Sequence, residues 1–277
     1  MALSIDGLTM SNSNNSLNSS LAVRPWLLVF NRQRWLATLT LLAVILCSWA
    51  YLWHISLNMK MMNMPTVSSL KIPAIHAWTT LEFIYMFIMW VIMMIGMMLP
   101  SAAPMILTYA SIGKHQKQYQ HTISFSMGYL SIWTIFSLIA TLLQWALDQA
   151  ALLSPSMVSQ SPMLGASLLI IAGLYQFSPL KNNCLTQCRS PFQFIMTRLR
   201  PGTKGAFLMG IKHGAFCLAC CGFLMTLLFV GGVMNLIWIA SITFFVLLEK
   251  SLPFGEKSTW LSGSLLILCG SLFLIYA

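Results

Sequence analysis

The chain has 277 residues, of which 58% are hydrophobic and only 7% are charged. Soluble globular domains carry about 25% charged residues, so this composition excludes them and indicates a polytopic membrane protein. The net charge of +10 does not indicate nucleic-acid binding, because the basic residues fall between apolar stretches, where membrane topology and anionic lipid explain them. With only five acidic residues, the chain is poorly supplied for enzymes that use paired carboxylates.

Apolar stretches divide the chain into a short tail and one large domain. Residues 1–23 are rich in Ser and Asn and are predicted to be a disordered tail. Residues 24–277 are predicted to form a single all-α transmembrane domain, because a span needs about 20 apolar residues. This polytopic helix bundle is expected to have about seven spans, at residues 36–55, 82–110, 122–147, 163–178, 214–231, 233–249 and 259–276.

Lysine and arginine are distributed unequally over the segments between these spans. With the N-terminus inside, the inner segments hold thirteen basic residues, and the outer ones hold only Lys60 and Lys71. Cytoplasmic segments of membrane proteins carry the excess of Lys and Arg. The bias predicts a cytoplasmic N-terminus, an external C-terminus and a multi-pass protein of the inner membrane.

Methionine is abundant, at 20 residues, and it clusters in two places. The first outer loop contains Met-x-Met patterns that suit Cu(I), with His76 in the same loop: Met59, Met61, Met62 and Met64. In the second predicted span, Met93 and Met97 belong to a stripe at helical spacing that could pass Cu(I) between thioethers. Packing is the alternative role, because Met is an adaptable core residue.

Two prolines follow the methionine stripe. Pro100 and Pro104 each remove a backbone donor, which frees the carbonyls one turn earlier, near Gly96 and Pro100. Within a bilayer these carbonyls need partners from other helices or from water. We expect this segment either to meet the cysteine-containing helix or to be only a packing kink.

Soft metal ligands cluster where the fifth predicted span begins: His213, Cys217, Cys220 and Cys221. On an α-helix each residue advances about 100°, so these four side chains project within an arc of about 100°. Cys184 and Cys188 form a second pair, predicted to lie in a basic loop. Thiolates and imidazole favour Cu(I) and Zn, so the sequence predicts a copper or zinc site at the cytoplasmic boundary of the membrane. Cysteine as a small apolar packing residue is the alternative.

The acidic residues offer little chemistry. Glu82 is either a buried carboxylate partner or an interfacial charge, and Asp148, Glu249 and Glu256 are interpreted as ordinary helix-end charges. The sequence contains no Gly-x4-Gly-Lys-Ser/Thr, Gly-x-Gly-x-x-Gly or His-Glu-x-x-His pattern. No catalytic residues are therefore assigned.

About residues 75–275 resemble a family of bacterial integral membrane proteins, a domain of unknown function described as predicted metal-binding. The resemblance rests on the segments Trp78-Thr79, Met89-Trp90-Val91-Ile92-Met93-Met94, Met97-Met98-Leu99-Pro100-Ser101-Ala102-Ala103-Pro104-Met105, Tyr175-Gln176-Phe177-Ser178-Pro179-Leu180-Lys181, Cys184-Leu185-Thr186-Gln187-Cys188-Arg189, Gly210-Ile211-Lys212-His213-Gly214 with Cys217 and Cys220-Cys221, and Phe229-Val230-Gly231-Gly232-Val233-Met234-Asn235. It implies a metal-related membrane protein of bacterial type.

Three functions fit these patterns. The first is a copper-handling membrane protein that transports the metal or delivers it to a partner membrane metalloenzyme or metallochaperone. The second is a membrane thiol-disulfide redox protein that uses Cys184 and Cys188, or Cys217 and Cys220. The third is a non-catalytic assembly subunit whose cysteines are structural.

Overall fold

The computed structural model describes residues 32–62, 78–112, 118–150, 152, 161–251 and 255–275. This part of the chain is helical: α1 (Arg32–Met62), α2 (Thr80–Ile112), α3 (Gln118–Gln149), α4 (Pro162–Gln176), α5 (Pro179–Arg189), α6 (Pro191–Arg198), α7 (Gly202–Thr226), α8 (Leu228–Gly231), α9 (Leu236–Ser251) and α10 (Gly255–Ile275). The predicted disordered tail, Met64 and His76 lie outside the described residues. The predicted outer methionine site therefore stays a prediction, and Met59, Met61 and Met62 lie in the last turn of α1.

Four of the described helical stretches are long and apolar enough to cross a membrane: Arg34–Leu57, Thr80–Ile112, Gln118–Gln149 and Gly202–Gly231. The pair α4 and α5 makes a fifth if it is one span, although the two helices are bent by 68°. The predicted spans at 233–249 and 259–276 correspond to the shorter helices α9 and α10. Seven spans and the orientation of the termini stay predictions.

The bend between α4 and α5 follows from the local sequence. Pro179 occupies the first turn of α5, where its missing N–H is not needed. Ser178 has an extended backbone and accepts a hydrogen bond from the Leu180 amide at 3.2 Å. Proline also disfavours a helical backbone in the residue before it, so α4 cannot continue through this point.

A second break separates α8 from α9, between the predicted spans at 214–231 and 233–249. Gly232 has φ of +94°, a backbone conformation that side chains with a Cβ rarely adopt. Asn235 then precedes α9, and its Oδ1 accepts hydrogen bonds from the amides of Ile237 and Trp238 in the first turn at 3.2 and 3.3 Å. The two predicted spans are thus divided at the expected position.

The start of the cysteine-containing helix differs from the prediction. The sequence predicts a span that begins at residue 214, but α7 begins at Gly202, directly after Pro201. Lys204 and Lys212 lie within the helix and lower the local hydropathy, which hides the helix in the sequence. Cys217 is therefore about 22 Å along α7, near the middle of the candidate span Gly202–Gly231. Its position at a membrane boundary stays a prediction.

The helices α3 and α7 pack unusually closely. A Cβ placed on Gly210 would lie 2.0 Å from the Phe125 carbonyl oxygen, and one on Gly128 would lie 2.2 Å from the Phe207 carbonyl oxygen. Glycines at such contacts let helix backbones approach closely. This contact sets the distance between α3 and the cysteine face of α7.

We predict that Gly210→Ala destabilises the protein by about 1–3 kcal/mol, the usual cost of overpacking a tight contact. The added methyl meets backbone atoms that cannot rotate away. Gly222→Ala on the same helix is the matched control, because its methyl would meet only the Leu218 side chain, at 3.1 Å. Thermal unfolding in detergent measures both variants, and equal midpoints would contradict the close-packing account.

Candidate metal centre

The cysteines of α7 form one buried face. Cys217, Cys220 and Cys221 are at most 1% exposed. The thiols of Cys220 and Cys221 donate to the Cys217 carbonyl oxygen at 3.2 and 2.9 Å. The sequence alone does not indicate which of Cys220 and Cys221 faces Cys217, and in the structure both thiols do.

The Cys217 sulfur also meets polar groups from two other helices. The Lys250 ammonium of α9 lies 2.9 Å from Cys217 Sγ, and the Tyr129 hydroxyl of α3 lies 3.2 Å from it. Cys217 is thus the point at which a cation, a phenol and a thiol meet. The other ends of this network lie on α2.

The proline-containing segment of α2 reaches the cysteine face, which is one of the two arrangements that the sequence predicts. The Tyr129 hydroxyl donates to the Met98 carbonyl oxygen at 3.2 Å, and Lys250 donates to Ser101 Oγ at 3.1 Å. Each of these two side chains also contacts Cys217. The helix α2 nevertheless continues through both prolines, from Thr80 to Ile112.

One of the freed carbonyls has a hydrogen-bond partner on another helix. Pro100 cannot donate to the Gly96 carbonyl oxygen, and Trp49 Nε1 on α1 donates to it at 3.2 Å instead. A hydrogen bond between helices thereby replaces the one that proline removes. The neighbouring Met93 and Met97 are buried in the hydrophobic core that also contains Cys217. Both of the roles predicted for them, thioether ligand and packing residue, fit this position.

The second cysteine pair lies on a helix, and not in the predicted basic loop. Cys184 and Cys188 are one turn apart on α5, whose first turn is fixed by Ser178 and Pro179. Cys188 lies close enough to Cys220 for the two side chains to interact, and Cys220 likewise lies near Cys217 and Cys221. Two segments of the chain therefore contribute thiols to one cluster: Cys188, Cys217, Cys220 and Cys221, which we call the thiol cluster.

His213 lies one turn before Cys217 and is only 3% exposed. Its ring stacks against Phe125 and Tyr129, with centroids 6.0 and 5.5 Å away, and meets the edge of Phe194 at 5.5 Å. Among the residues that the structure describes, His213 Nδ1 has no hydrogen-bond partner. A buried nitrogen without a partner costs free energy, which makes it available to a ligand.

The side chains near Cys217 are of the types that bind a soft metal, but they do not surround a common point where one ion could sit. Thiols, an imidazole nitrogen and nearby thioethers are the ligands that Cu(I) prefers. Within the described ranges, no three His, Cys, Asp or Glu side chains are grouped so that they could hold one ion. The reason is visible at the sulfurs, because two thiols turn to a carbonyl and Cys217 contacts Lys250.

Buried charges lie next to the thiol cluster, and the sequence does not predict them. Glu249 is not an ordinary helix-end charge, because it is buried and lies 2.7 Å from the Lys181 ammonium of α5. Lys181 also donates to Gln176 Oε1, and the Arg189 guanidinium donates to the Glu249 carbonyl oxygen at 3.0 and 2.6 Å. This ion pair fastens the helix that carries Cys188 to the helix that carries Lys250.

The other two acidic side chains that the structure describes interact with residues outside the thiol cluster. Glu82 forms a capping box with Thr79, whose amide donates to the carboxylate at 2.7 Å and whose hydroxyl accepts from the Glu82 amide at 3.3 Å. Asp148 accepts a hydrogen bond from Trp78 Nε1 at 2.7 Å. Neither residue reaches the thiol cluster.

A family model described as PpoB2, copper chaperone, matches residues 87–273. The chain belongs to this copper-chaperone family. The match includes all four residues of the thiol cluster, His213 and Lys250. It supports copper as the metal to which the chain is related, and the membrane and metal-binding parts of the resemblance stay predictions. Comparison with curated proteins and with solved structures finds no match.

We predict that Glu249→Gln destabilises the protein by about 3–5 kcal/mol, because it leaves the buried Lys181 ammonium without a counter-charge. The double variant Lys181→Met with Glu249→Met should regain most of that loss, since it removes both charges. Asp148→Asn is the control, as this carboxylate interacts with a neutral indole. Thermal unfolding tests the set, and a double variant less stable than Glu249→Gln would contradict the ion-pair account.

Proposed function

We propose that this protein is an integral membrane protein that binds Cu(I) at its thiol cluster and delivers it to a partner metalloenzyme. Membership of the copper-chaperone family supports copper as the cargo. The single observation that carries the proposal is the proximity of Cys188 on α5 to Cys220 on α7, at the edge of a core in which Cys217, Cys220 and Cys221 are all buried. His213 supplies a further donor on the same face of α7.

The surroundings of the thiol cluster suit a Cu(I) thiolate. Two thiolates around one Cu(I) carry a net charge of −1, and an uncompensated charge is costly inside an apolar core. The Lys250 ammonium, 2.9 Å from Cys217 Sγ, supplies the balancing positive charge. Since the sequence has no nucleotide-binding motif, we propose that copper moves by exchange between neighbouring soft ligands without ATP.

A thiol redox function is the second candidate. Cys188 on α5 lies beside Cys220 on α7, and a reversible interhelical disulfide would need two neighbouring thiols on different helices. Copper content and thiol reactivity separate the two functions.

We predict that Cys217→Ser with Cys220→Ser abolishes the copper that the wild-type protein retains after anaerobic loading with Cu(I), about one ion per chain. Cys47→Ser with Cys269→Ser is the matched control, because both of these cysteines are exposed and lie outside the thiol cluster. Mass spectrometry of bound metals measures all three proteins. Circular dichroism and thermal unfolding establish that each variant is folded.

Copper retained by the Cys217 and Cys220 variant would contradict the assignment of the thiol cluster. A wild-type protein that binds no copper, but whose thiols oxidise readily with a quinone or a dithiol oxidant, would move the assignment to the redox function. If the protein retained zinc in place of copper, the assignment of the metal would change and the assignment of the thiol cluster as its site would stand.

A further inference from the structure

A second feature lies beside the N-terminal half of α7. It is a cavity of about 540 Å³, bounded by α5, α6 and α7. Its lining includes Arg198, Arg200, Met209 and Lys212. Pockets of about 300–1,000 Å³ are typical for small organic ligands.

The cavity is positively charged. Arg198, Arg200 and Lys212 line it, and none of the described lining residues carries a carboxylate. Arg198 is held in place by two aromatic rings, Phe194 at 5.5 Å and Phe216 at 5.1 Å. A concave site with charge of one sign raises the local concentration of ions of the opposite sign. This cavity therefore repels a bare copper ion and attracts an anion.

Soft ligands lead from the cavity to the thiol cluster. Met209 lines the cavity although it is only 1% exposed. His213, Cys217 and Cys221 follow it at intervals of four residues, and all three are buried. Helical residues four apart have Cβ atoms about 5–6 Å from each other. Sulfur and nitrogen donors thus form a continuous row along one face of α7.

We propose that this cavity binds an anionic, low-molecular-weight Cu(I)–thiolate complex whose thiol carrier bears carboxylates, and that Met209 is the first residue to take the copper. The inference rests on the proposed function, because the copper goes on to the thiol cluster. Copper remains Cu(I) throughout. At Met209 a bond from copper to the thioether sulfur replaces one bond to a carrier sulfur, and a bond to a cysteine sulfur then replaces the thioether bond. In the net exchange two bonds from copper to carrier sulfurs break, two bonds to cysteine sulfurs form, and two thiol protons pass to the departing carrier thiolates.

The cavity and the row of donors have different tasks in this account. Arg200 and Lys212 bind the carrier through its carboxylates, while Met209 exchanges the metal. Neutralising the cations should therefore weaken carrier binding, whereas changing the thioether should slow copper transfer only. These two effects are measured separately.

The first experiment measures carrier binding without copper. The probe is S-methylglutathione, which keeps the carboxylates and cannot hold Cu(I) as a thiolate, titrated into metal-free full-length protein in phosphatidylcholine nanodiscs. We expect saturable binding that weakens with salt and is lost in Arg200→Gln with Lys212→Gln. Lys204→Gln is the control, because Lys204 is an exposed cation of α7 outside the cavity. Absence of binding, or equal loss in the control, would overturn the proposal.

The second experiment follows copper transfer from two donors, the Cu(I) complex of glutathione and the Cu(I) complex of acetonitrile. The Arg200 and Lys212 variant should slow transfer from the anionic glutathione complex by about tenfold and should not slow transfer from the cationic acetonitrile complex. Met209→Leu should slow transfer from the glutathione complex without changing the affinity for S-methylglutathione. Equal slowing with both donors, or none with either, would overturn the carrier site.

Two controls distinguish a carrier site from an inactive thiol cluster and from a lipid site. Copper uptake from the acetonitrile complex depends on the thiol cluster alone, so its absence in the wild-type protein contradicts the proposed function and not the cavity assignment. Phosphatidylglycerol in the nanodisc tests a lipid headgroup as the anion. Displacement of S-methylglutathione by that lipid would assign the cavity to lipid and overturn the carrier proposal.

Discussion

Gly128 and Gly210 let the backbones of α3 and α7 approach until a Cβ on Gly210 would lie 2.0 Å from a carbonyl oxygen. The rest of the candidate centre depends on this contact. It places Tyr129 of α3 against Cys217 and lets the Phe125 and Tyr129 rings stack on His213. Wider spacing would separate the phenol from the thiol and open the row of donors to lipid or water.

Electrostatic interactions fix the other side of the thiol cluster. Lys181 and Glu249 join α5 to α9, and the residue after Glu249 is the Lys250 that contacts Cys217. One buried ion pair therefore positions both the helix of Cys188 and the cation beside Cys217. A buried charge is tolerated only with a partner, so the polar network and the thiols form one interdependent unit. Copper would enter this unit as a further cation whose charge the thiolates balance.

Helical periodicity made part of this centre predictable from sequence. The spacing of His213, Cys217, Cys220 and Cys221 requires one shared face on any helix, and all four are buried together. The loss of a donor at Pro100 requires a partner for the Gly96 carbonyl, and Trp49 supplies it. Both inferences are local, because they follow from backbone geometry within a few residues. They needed no knowledge of how the helices pack.

The features that the sequence does not predict depend on tertiary contacts. Glu249 and Lys250 resemble helix-end charges, because nothing near them in sequence indicates that Lys181 and Cys217 are their partners. The polar composition of α5 is typical of a loop, although Ser178 and Pro179 begin a helix. Met209 cannot be singled out from the sequence, because a single methionine forms no pattern. Its position is apparent only in the structure, where it lines the cavity and precedes the buried cysteines on the same helix.

X-ray absorption at the copper edge tests the central claim most directly. The sample is the full-length protein in nanodiscs, loaded anaerobically with one equivalent of Cu(I). Our account predicts a first shell dominated by sulfur, which changes when Cys217 and Cys220 are replaced by Ser. A first shell of nitrogen and oxygen alone, or one that is unchanged by those substitutions, would contradict the assignment of copper to the thiol cluster.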